Sequence, residues 1–316
     1  MCTAAIYKTN KAYFGRNLDL EYSYVESVVV TPRNYPLSFR LKKSQERHYA
    51  IIGMAYVQEN YPLYYDAMNE KGIGMAGLAF QGNAVYLKPE EGYDNVAPYE
   101  LIPWVLSQCA TMEEVRELLG RLRVVDLVFS EQLPNSPLHW MVSDGETSIV
   151  IEAVKEGVKV YHNPVGVLTN NPPFPYQLLN LSNYMRLTRK RPETTFAEDL
   201  DLEVYSRGMG GIGLPGDLSS QSRFVRAAFV RMNSVSGESE QESVNQFFHI
   251  LTSVEQQRGC VLLEDGRYEY TLYSSCCSLN SGIYYYTTYE DREIRAVDLR
   301  KFDLEGRELV GGKDVV

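Results

Sequence analysis

The start of the chain combines three residue types that can perform chemistry on an amide or an ester. It reads MCTAAIYKTNKAYFGRNLDL, with cysteine at position 2, arginine at position 16 and aspartate at position 19. A cysteine thiolate is a nucleophile, and a guanidinium beside it favours that charged form. Removal of Met1 would give Cys2 a free α-amine, which can serve as the base for its own thiol. These residues predict a nucleophile at Cys2, tuned by Arg16 and oriented by Asp19, although the residues alone leave open an incidental cysteine.

Two short apolar runs would place these side chains. Residues 3–7 and 12–14 flank a polar tip of four residues, which predicts a β-hairpin. Pairing across that tip puts Cys2 opposite Arg16 or Asn17, and cross-strand neighbours of this kind can touch. The hairpin would therefore hold the start of the chain in a sheet.

The remaining sequence predicts an α+β fold. Alternating or apolar runs such as ESVVVTP, YAIIGMAYV and GIGMAGLAF are typical of strands, and the chain ends in an aromatic-rich hairpin. Helical spacing marks two blocks between the strands, of which TMEEVRELLG has a capping box of Thr111 and Glu114. The order of sheets and helices predicts two antiparallel sheets with helices outside. No Gly-, Ser- or Pro-rich linker divides the chain, so we expect a single domain over residues 1–316.

Composition excludes several classes of function. The 316 residues carry a formal charge of −10, which disfavours a nucleic-acid surface. No apolar run is long enough for a membrane span, and no secretory signal precedes the first strand, so we expect a cytoplasmic protein. The histidines are scattered and the cysteine spacings match no zinc motif, so we expect no metal, no cofactor and reduced thiols that are buried or half-buried. The cysteines are Cys2, Cys109, Cys260, Cys276 and Cys277.

Two other motifs attract attention but predict no chemistry. The run SRGMGGIGLPGD lacks the Gly-Lys-Ser/Thr ending of a phosphate-binding loop, which favours a surface loop. His139 lies in an alternating strand, and no Gly-x-Ser-x-Gly elbow accompanies it. A structural histidine is therefore the better interpretation.

The chain resembles the choloylglycine hydrolase family of N-terminal-nucleophile hydrolases, which contains bile salt hydrolases and penicillin V acylases. The likeness begins with MCTAAIYK and YFGRNLDLEYSY and continues through YPLYYDAMNEKGIGMAGL, GVLTNNPPF and SRGMGGIGLPGDLSSQSRFVR. It is strongest to the bile salt hydrolases of Gram-positive gut bacteria. The resemblance implies a four-layer αββα sandwich of two antiparallel sheets and a homotetramer that the Gly-rich loop helps to assemble.

The resemblance also implies catalytic roles. Cys2 matches the family's nucleophile, and Arg16 and Asp19 match the residues that hold and tune it. Asn170, in LTNNP, matches the amide that helps form the oxyanion hole, and Arg223, in SQSRF, matches a second arginine near the thiol.

One position departs from the family. The bile salt hydrolases usually read GLNF where this chain reads GLAF, so Ala79 replaces an asparagine. The backbone N–H of Ala79 can still donate to an oxyanion, because that contact needs no side chain. The substitution bears mainly on substrate preference.

By the same resemblance, an apolar wall would bind the steroid of a bile acid conjugated to glycine or taurine. Cys2 would form a thioester with the acyl group and release the amine. Penicillin V acylase and a catalytically silent sterol-binding relative are the alternatives, and each wall residue can equally be ordinary core. The implied wall residues are Leu18, Tyr24, Tyr65, Phe129, Leu133 and Leu138.

Overall fold

The computed structural model describes residues 1–311, in which strands outnumber helices. The strands are β1 (Cys2–Lys8), β2 (Ala12–Leu20), β3 (Ser27–Thr31), β4 (Ile51–Gln58), β5 (Tyr61–Asn69), β6 (Gly74–Ala79), β7 (Asp94–Val96), β8 (Leu122–Val124), β9 (Leu138–Ser143), β10 (Ser148–Val154), β11 (Gly157–His162), β12 (Val167–Leu168), β13 (Val261–Leu262), β14 (Tyr268–Ser278), β15 (Ile283–Thr288), β16 (Arg295–Asp298) and β17 (Val310–Gly311). The helices are α1 (Leu101–Leu106), α2 (Met112–Leu119), α3 (Phe174–Leu181), α4 (Ser220–Asn233) and α5 (Glu240–Thr252). Short 3-10 turns lie at Pro98–Glu100, Ser182–Tyr184, Met209–Gly211 and Leu299–Lys301.

The strands form two large antiparallel sheets. The first has the order β12-β1-β2-β14-β15-β16, with β13 paired to β14. The second has the order β11-β10-β9-β6-β5-β4-β3-β17, and β7 and β8 form a separate parallel pair. The predicted α+β class with two antiparallel sheets is confirmed.

Hydrogen bonds from β2 show how the layers stack. The Arg16 guanidinium donates to the main-chain oxygens of Tyr65 and Gly77 in the second sheet. The next side chain, Asn17, donates to Leu251 O in α5 on the other side. Because successive side chains of a strand point to opposite faces, β2 is buried between the second sheet and the helices. Helix α1 packs on β5 and β6 at the far face of the second sheet, which completes the four-layer αββα arrangement.

The first hairpin forms as predicted, but its register differs by one residue. Lys8 faces Ala12, so the connection is a three-residue loop closed by a 2.9 Å hydrogen bond from Thr9 N to Lys11 O. Cys2 therefore faces Leu18 instead of Arg16 or Asn17. The prediction was wrong because Lys8, which is exposed, continues the strand.

The register also separates the three predicted catalytic side chains. Cys2 and Arg16 lie on the face of the first sheet that meets the second sheet, since Leu18 and Arg16 are two residues apart. Asp19 lies on the opposite face, towards the helices. Arg16 and Asp19 therefore lie on opposite faces of the strand that pairs with Cys2.

Helix ends follow the sequence signals. In α2, Thr111 accepts from Glu114 N and the Glu114 carboxylate bonds back to Thr111 N, as the capping box predicts. Helix α5 has a second capping box, Ser239 with Glu242. These caps satisfy N–H groups that the first helical turn would leave without partners.

Several smaller predictions can be compared with the structure. All five cysteines are free thiols; four are buried, but Cys260 is exposed, contrary to the expectation of buried or half-buried thiols. His139 Nε2 lies 2.9 Å from Thr169 O and the ring stacks on Phe80, which agrees with a structural role. The Gly-rich run forms a largely exposed loop around Met209–Gly211. Within residues 1–311, no helix is long and apolar enough to cross a membrane.

Candidate active site

Cys2 is held at the start of β1 by contacts to its main chain. Its side chain is buried, and its N–H donates to Asn170 Oδ1 at 2.9 Å. Its carbonyl oxygen accepts from Arg223 Nη1 at 2.6 Å. Two residues far away in the sequence therefore fix the position of the nucleophile's backbone.

Arg16 supplies a buried positive charge on the same face as Cys2. Its Nη1 donates to Tyr65 O at 3.1 Å and to Gly77 O, while Nη2 has no hydrogen-bond partner within residues 1–311. Burial alone would lower the pKa of Arg16, but the acidic groups around it, the Cys2 thiol foremost, raise it. Arg16 therefore stays charged on the face of the sheet that carries Cys2.

Asp19 is a fully buried carboxylate on the opposite face of β2. Its Oδ1 accepts from Thr271 Oγ1 at 2.6 Å, and its Oδ2 has no partner in the described part of the chain. Burial raises the pKa of Asp19, and the nearby charges of Arg223 and the chain's N-terminal ammonium oppose that rise. The N-terminal ammonium and Arg223 thus favour the charged form of Asp19 against the effect of burial.

Met1 extends the first strand by one residue. Its ammonium donates to Asp19 O at 2.8 Å and to Glu269 Oε1 at 2.5 Å, and Asp19 N donates back to Met1 O at 3.0 Å. Burial raises the pKa of the Glu269 carboxyl, and the ammonium opposes the rise. The N-terminal ammonium thus lies between the Glu269 carboxylate and the Asp19 carbonyl oxygen.

The Asn170 amide has one orientation that satisfies its neighbours. Oδ1 accepts from Cys2 N and from Arg223 Nη2 at 2.7 Å, both of which can only donate. Nδ2 donates to Ala79 O at 2.8 Å, which can only accept. An amide NH₂ group carries two hydrogens, so the second remains available for an oxyanion.

The main-chain N–H of Ala79 points to the side of β6 on which the Asn170 amide lies. Leu138 faces Ala79 across β6 and β9, but the Leu138 N–H donates to Tyr86 Oη at 2.7 Å. The N–H and C=O of one strand residue point to the same side, so the Ala79 N–H lies on the side where Asn170 binds its C=O. Ala79 N–H and Asn170 Nδ2 can therefore converge on one oxygen.

Arg223 connects these groups. It is fully buried on α4 and donates to Cys2 O, to Thr3 Oγ1 at 2.7 Å, to Asn170 Oδ1 and to Leu218 O at 3.0 Å. Burial lowers the pKa of Arg223, and the charge of Asp19 opposes that change. The Arg223 guanidinium thus links helix α4 to the main chain of Cys2 and to the Asn170 amide.

Strand pairing places three of the predicted wall residues. Leu18 faces Cys2, and Leu138 faces Ala79 across β6 and β9, but the Leu138 side chain packs with the separate core cluster that contains Trp140. Tyr65 is half-buried against the core between the sheets, and its carbonyl binds Arg16.

Loops place the other three wall residues. Tyr24 lies between β2 and β3 with its ring 4.8 Å from that of Tyr22. Phe129 and Leu133 lie between β8 and β9, where Phe129 packs against the ring of Tyr61 at 6.0 Å. All three are partly exposed.

The sequence reasoning missed two carboxylates. One is Glu269, which contacts the N-terminus. The other is Asp66, which is fully buried and accepts hydrogen bonds from the hydroxyl groups of Tyr273, Ser275 and Tyr284. Burial raises the pKa of Asp66, and Arg16 opposes the rise. A charged residue inside an alternating apolar strand, as in YYDAMN, is the signal that could have identified Asp66.

Comparison with known proteins identifies the family. The family model for linear amide C–N hydrolases of the choloylglycine hydrolase family matches residues 2–312. The chain belongs to the choloylglycine hydrolase family. Its members are hydrolases of linear amides, and the predicted resemblance is confirmed.

Two relatives in this family align with nearly the whole chain. The sequence is 57% identical over 310 residues to the bile salt hydrolase/transferase of Lactiplantibacillus plantarum, covering 98% of this chain and 96% of that protein. It is 40% identical over 314 residues to the bile salt hydrolase/transferase of Clostridium perfringens, covering 98% of this chain and 95% of that protein.

Solved structures show the same fold. A C2A mutant of the conjugated bile acid hydrolase from Clostridium perfringens superimposes with a TM-score of 0.91 at 39% identity, covering 99% of this chain and 97% of that one. Penicillin V acylase from Agrobacterium tumefaciens shares the fold with a TM-score of 0.78 at 19% identity, covering 100% and 93%. The αββα sandwich of N-terminal-nucleophile hydrolases is therefore confirmed.

Proposed function

We propose that this choloylglycine hydrolase cleaves the amide bond of bile acids conjugated to glycine or taurine, through a thioester on Cys2. The observation that carries the proposal is the arrangement around Cys2, where Asn170 and Arg223 fix its backbone and Arg16 lies on its side of the sheet. The 57% identity to a bile salt hydrolase/transferase supports this choice of substrate.

The first step requires removal of Met1. The main-chain nitrogen of Cys2 then becomes an amine that still bonds to Asn170 Oδ1, which lies 2.9 Å away. The amine takes the thiol proton while the sulfur attacks the carbonyl carbon. The oxygen of that carbonyl becomes an oxyanion, held by the Ala79 N–H and the second Asn170 Nδ2–H.

Collapse of the oxyanion breaks the amide C–N bond. The Cys2 ammonium gives its proton to the departing nitrogen, which leaves as glycine or taurine. Water then attacks the thioester carbon with the amine again as base, and the C–S bond breaks to release the bile acid and the thiol. Arg16 favours the thiolate as leaving group in this step.

The steroid would bind on the apolar wall implied by the family. In this proposal Leu18, which faces Cys2, and Leu138, which faces Ala79, would begin the wall, and Tyr24, Phe129 and Leu133 would extend it from loops. We propose that no metal or cofactor takes part. Free thiols throughout the described chain also support action in a reducing compartment, the cytoplasm.

We also propose a homotetramer. Large apolar side chains are exposed on α3 and in the loop that follows, including Tyr176, Leu179, Met185, Tyr205 and Ile212. Exposed apolar surface of this extent favours contact with another copy of the chain. Native mass spectrometry tests this: a tetramer is expected, and a monomer at micromolar concentration would reject it.

Penicillin V acylase is the second candidate, because Ala79 replaces the asparagine usual in bile salt hydrolases. Hydrolysis of glycocholate, taurocholate and penicillin V by the same preparation decides between them. We expect both bile acid conjugates to be cleaved with the higher kcat/KM, and a strong preference for penicillin V would reject the proposal. Turnover that survives treatment with iodoacetamide would reject the role of Cys2.

A further inference from the structure

The two donors of the proposed oxyanion site belong to different layers of the fold. The Ala79 N–H lies at the end of β6, in the second sheet. Asn170 follows β12 of the first sheet, and its main-chain N–H donates to Ser220 Oγ in helix α4 at 2.8 Å. An oxyanion donor must lie about 2.7–3.1 Å from the oxygen that it binds. The spacing of the two donors therefore depends on contacts that join the Asn170 segment to the second sheet.

His139 contacts the Asn170 segment from strand β9 of the second sheet. Its neighbour Trp140 packs in the core beside α1, whereas Met141 packs in the core between the sheets. His139 alternates with Trp140, so its fully buried side chain also points between the sheets. Its Nε2 lies 2.9 Å from Thr169 O, and because a carbonyl oxygen only accepts, Nε2 carries the hydrogen and donates it. That carbonyl belongs to the peptide bond that joins Thr169 to Asn170.

His139 also contacts the strand that carries Ala79. It faces Leu78 across β6 and β9, and its ring stacks on that of Phe80, with the ring centres 4.4 Å apart. Leu78 and Phe80 are the two sequence neighbours of Ala79. His139 thus contacts residues directly beside both oxyanion donors.

Glu152 secures the other end of the Asn170 segment. It faces His139 across β9 and β10, its side chain is buried, and its Oε1 accepts from Phe174 N at 2.8 Å. The same oxygen lies 3.5 Å from His139 Nδ1, which has no hydrogen-bond partner within residues 1–311. Two neighbouring side chains therefore hold residues 169–174 to the second sheet at both ends.

We propose that His139 is a positioning residue that sets the spacing of the two oxyanion donors. The inference rests on the thioester mechanism of the proposed function but does not depend on the identity of the acyl group. Negative charge develops on the carbonyl oxygen in the transition state, so displacement of the Asn170 segment lowers kcat more than it weakens substrate binding. Alkylation of the Cys2 thiol by iodoacetamide forms no oxyanion, so it does not depend on this spacing.

A pair of amide variants separates the two nitrogens of His139. The amide of His139→Gln lies about as far from the main chain as Nε2, so it can still donate to Thr169 O. The shorter side chain of His139→Asn brings its amide only about as far as Nδ1. Both variants keep a polar side chain at the buried position. His48→Asn is the matched control, because His48 is also buried and bonds to main-chain oxygens, those of Tyr35 and Tyr49, in the loop between β3 and β4.

The assay uses enzyme whose loss of Met1 has been verified by mass. Turnover is measured with glycocholate and, independently of bile acids, with p-nitrophenyl acetate after subtraction of the Cys2→Ala rate. Mass spectrometry of the Cys2 peptide gives the rate of its alkylation by iodoacetamide.

We expect kcat of His139→Asn to fall about 10- to 100-fold, because a small misplacement of a catalytic group can cost about 10² in rate. KM should stay within about threefold of the wild type, since the lost contact acts in the transition state. His139→Gln and His48→Asn should keep kcat within about fivefold of the wild type. Alkylation of Cys2 should change by less than about threefold in all three variants, because it follows the thiolate.

Wild-type kcat in His139→Asn would overturn the inference, and so would an equal loss in His139→Asn and His139→Gln. A fall in alkylation as large as the fall in kcat would also overturn it, because the damage would then extend to the thiol. His139→Phe, which keeps a ring against Phe80 and lacks the donor, repeats the test if His139→Asn folds poorly. Failure of the proposed substrate gives a different result: glycocholate stays intact, while hydrolysis of p-nitrophenyl acetate still separates the two amide variants.

Discussion

Replacement of Asn170 by alanine tests the geometry around the nucleophile most fully. The variant loses the acceptor for the Cys2 nitrogen and the donor beside the Ala79 backbone. Loss of one oxyanion donor costs about 10²–10³ in kcat. Poor orientation of the amine adds to this loss, so we expect kcat/KM to fall by about 10³ or more.

The same change has a cost in stability. Arg223 Nη2, which now donates to Asn170 Oδ1 at 2.7 Å, would be buried without that partner. An unsatisfied buried polar group costs about 1–3 kcal/mol, so the melting temperature should fall by several degrees.

The assay compares kcat and KM for glycocholate with the rate at which iodoacetamide alkylates Cys2 and with thermal melting. Asn171→Ala is the matched control, because the Asn171 amide bonds to Gln81 and Asn83 in a neighbouring loop. It should keep activity within about threefold of the wild type, since a surface amide contributes little. Asn170→Ala activity within tenfold of the wild type, in a folded protein, would refute the role assigned to Asn170.

Three further predictions concern the buried charges and the strand packing. The single nitrogen of Arg223→Lys cannot reach all four acceptors of the planar guanidinium, so kcat should fall about 10- to 100-fold. Arg226→Lys, half-buried on the same helix, should stay near wild type, and steady-state kinetics checks both. Burial raises the pKa of Asp19 in the folded state, so the wild type loses stability as pH rises from the ordinary carboxyl pKa of about 4 towards the raised one. Asp19→Asn avoids this loss, and its melting temperature relative to the wild type should rise as pH increases from about 4. Gly15→Ala places a Cβ 2.0 Å from a main-chain oxygen of β14 and should destabilise by about 1–3 kcal/mol in thermal melts, while Gly211→Ala meets nothing within 4 Å and should not.

The order of sheets and helices could be predicted from periodicity, but the first hairpin shows the limit of that reasoning. Its strands and its loop follow from the apolar runs, yet Lys8 can belong to either the strand or the tip. The structure pairs Lys8 with Ala12, and this one-residue difference moves every cross-strand neighbour of Cys2. It also places Arg16 and Asp19 on opposite faces of β2.

Contacts between distant strands could not be predicted from the residues alone. Glu269 contacts the N-terminus, 268 positions away in the sequence, because β14 pairs with β2. The alternation of apolar and polar residues predicts a strand but does not show which other strand pairs with it. Asn170 and Arg223 became candidates through resemblance to the family, while their shared contact with Cys2 emerged only from the fold. Local patterns thus predicted the elements, and the sheet order determined the site.

The central claim is that Cys2 provides both the sulfur that bonds to the acyl carbon and the amine that moves the proton. Mass spectrometry of the enzyme, quenched during turnover of glycocholate and then digested, tests it directly. We predict an N-terminal peptide that lacks Met1 and carries the bile acyl group on Cys2. A fully active enzyme that retains Met1, or an acyl group on any other residue, would contradict the account.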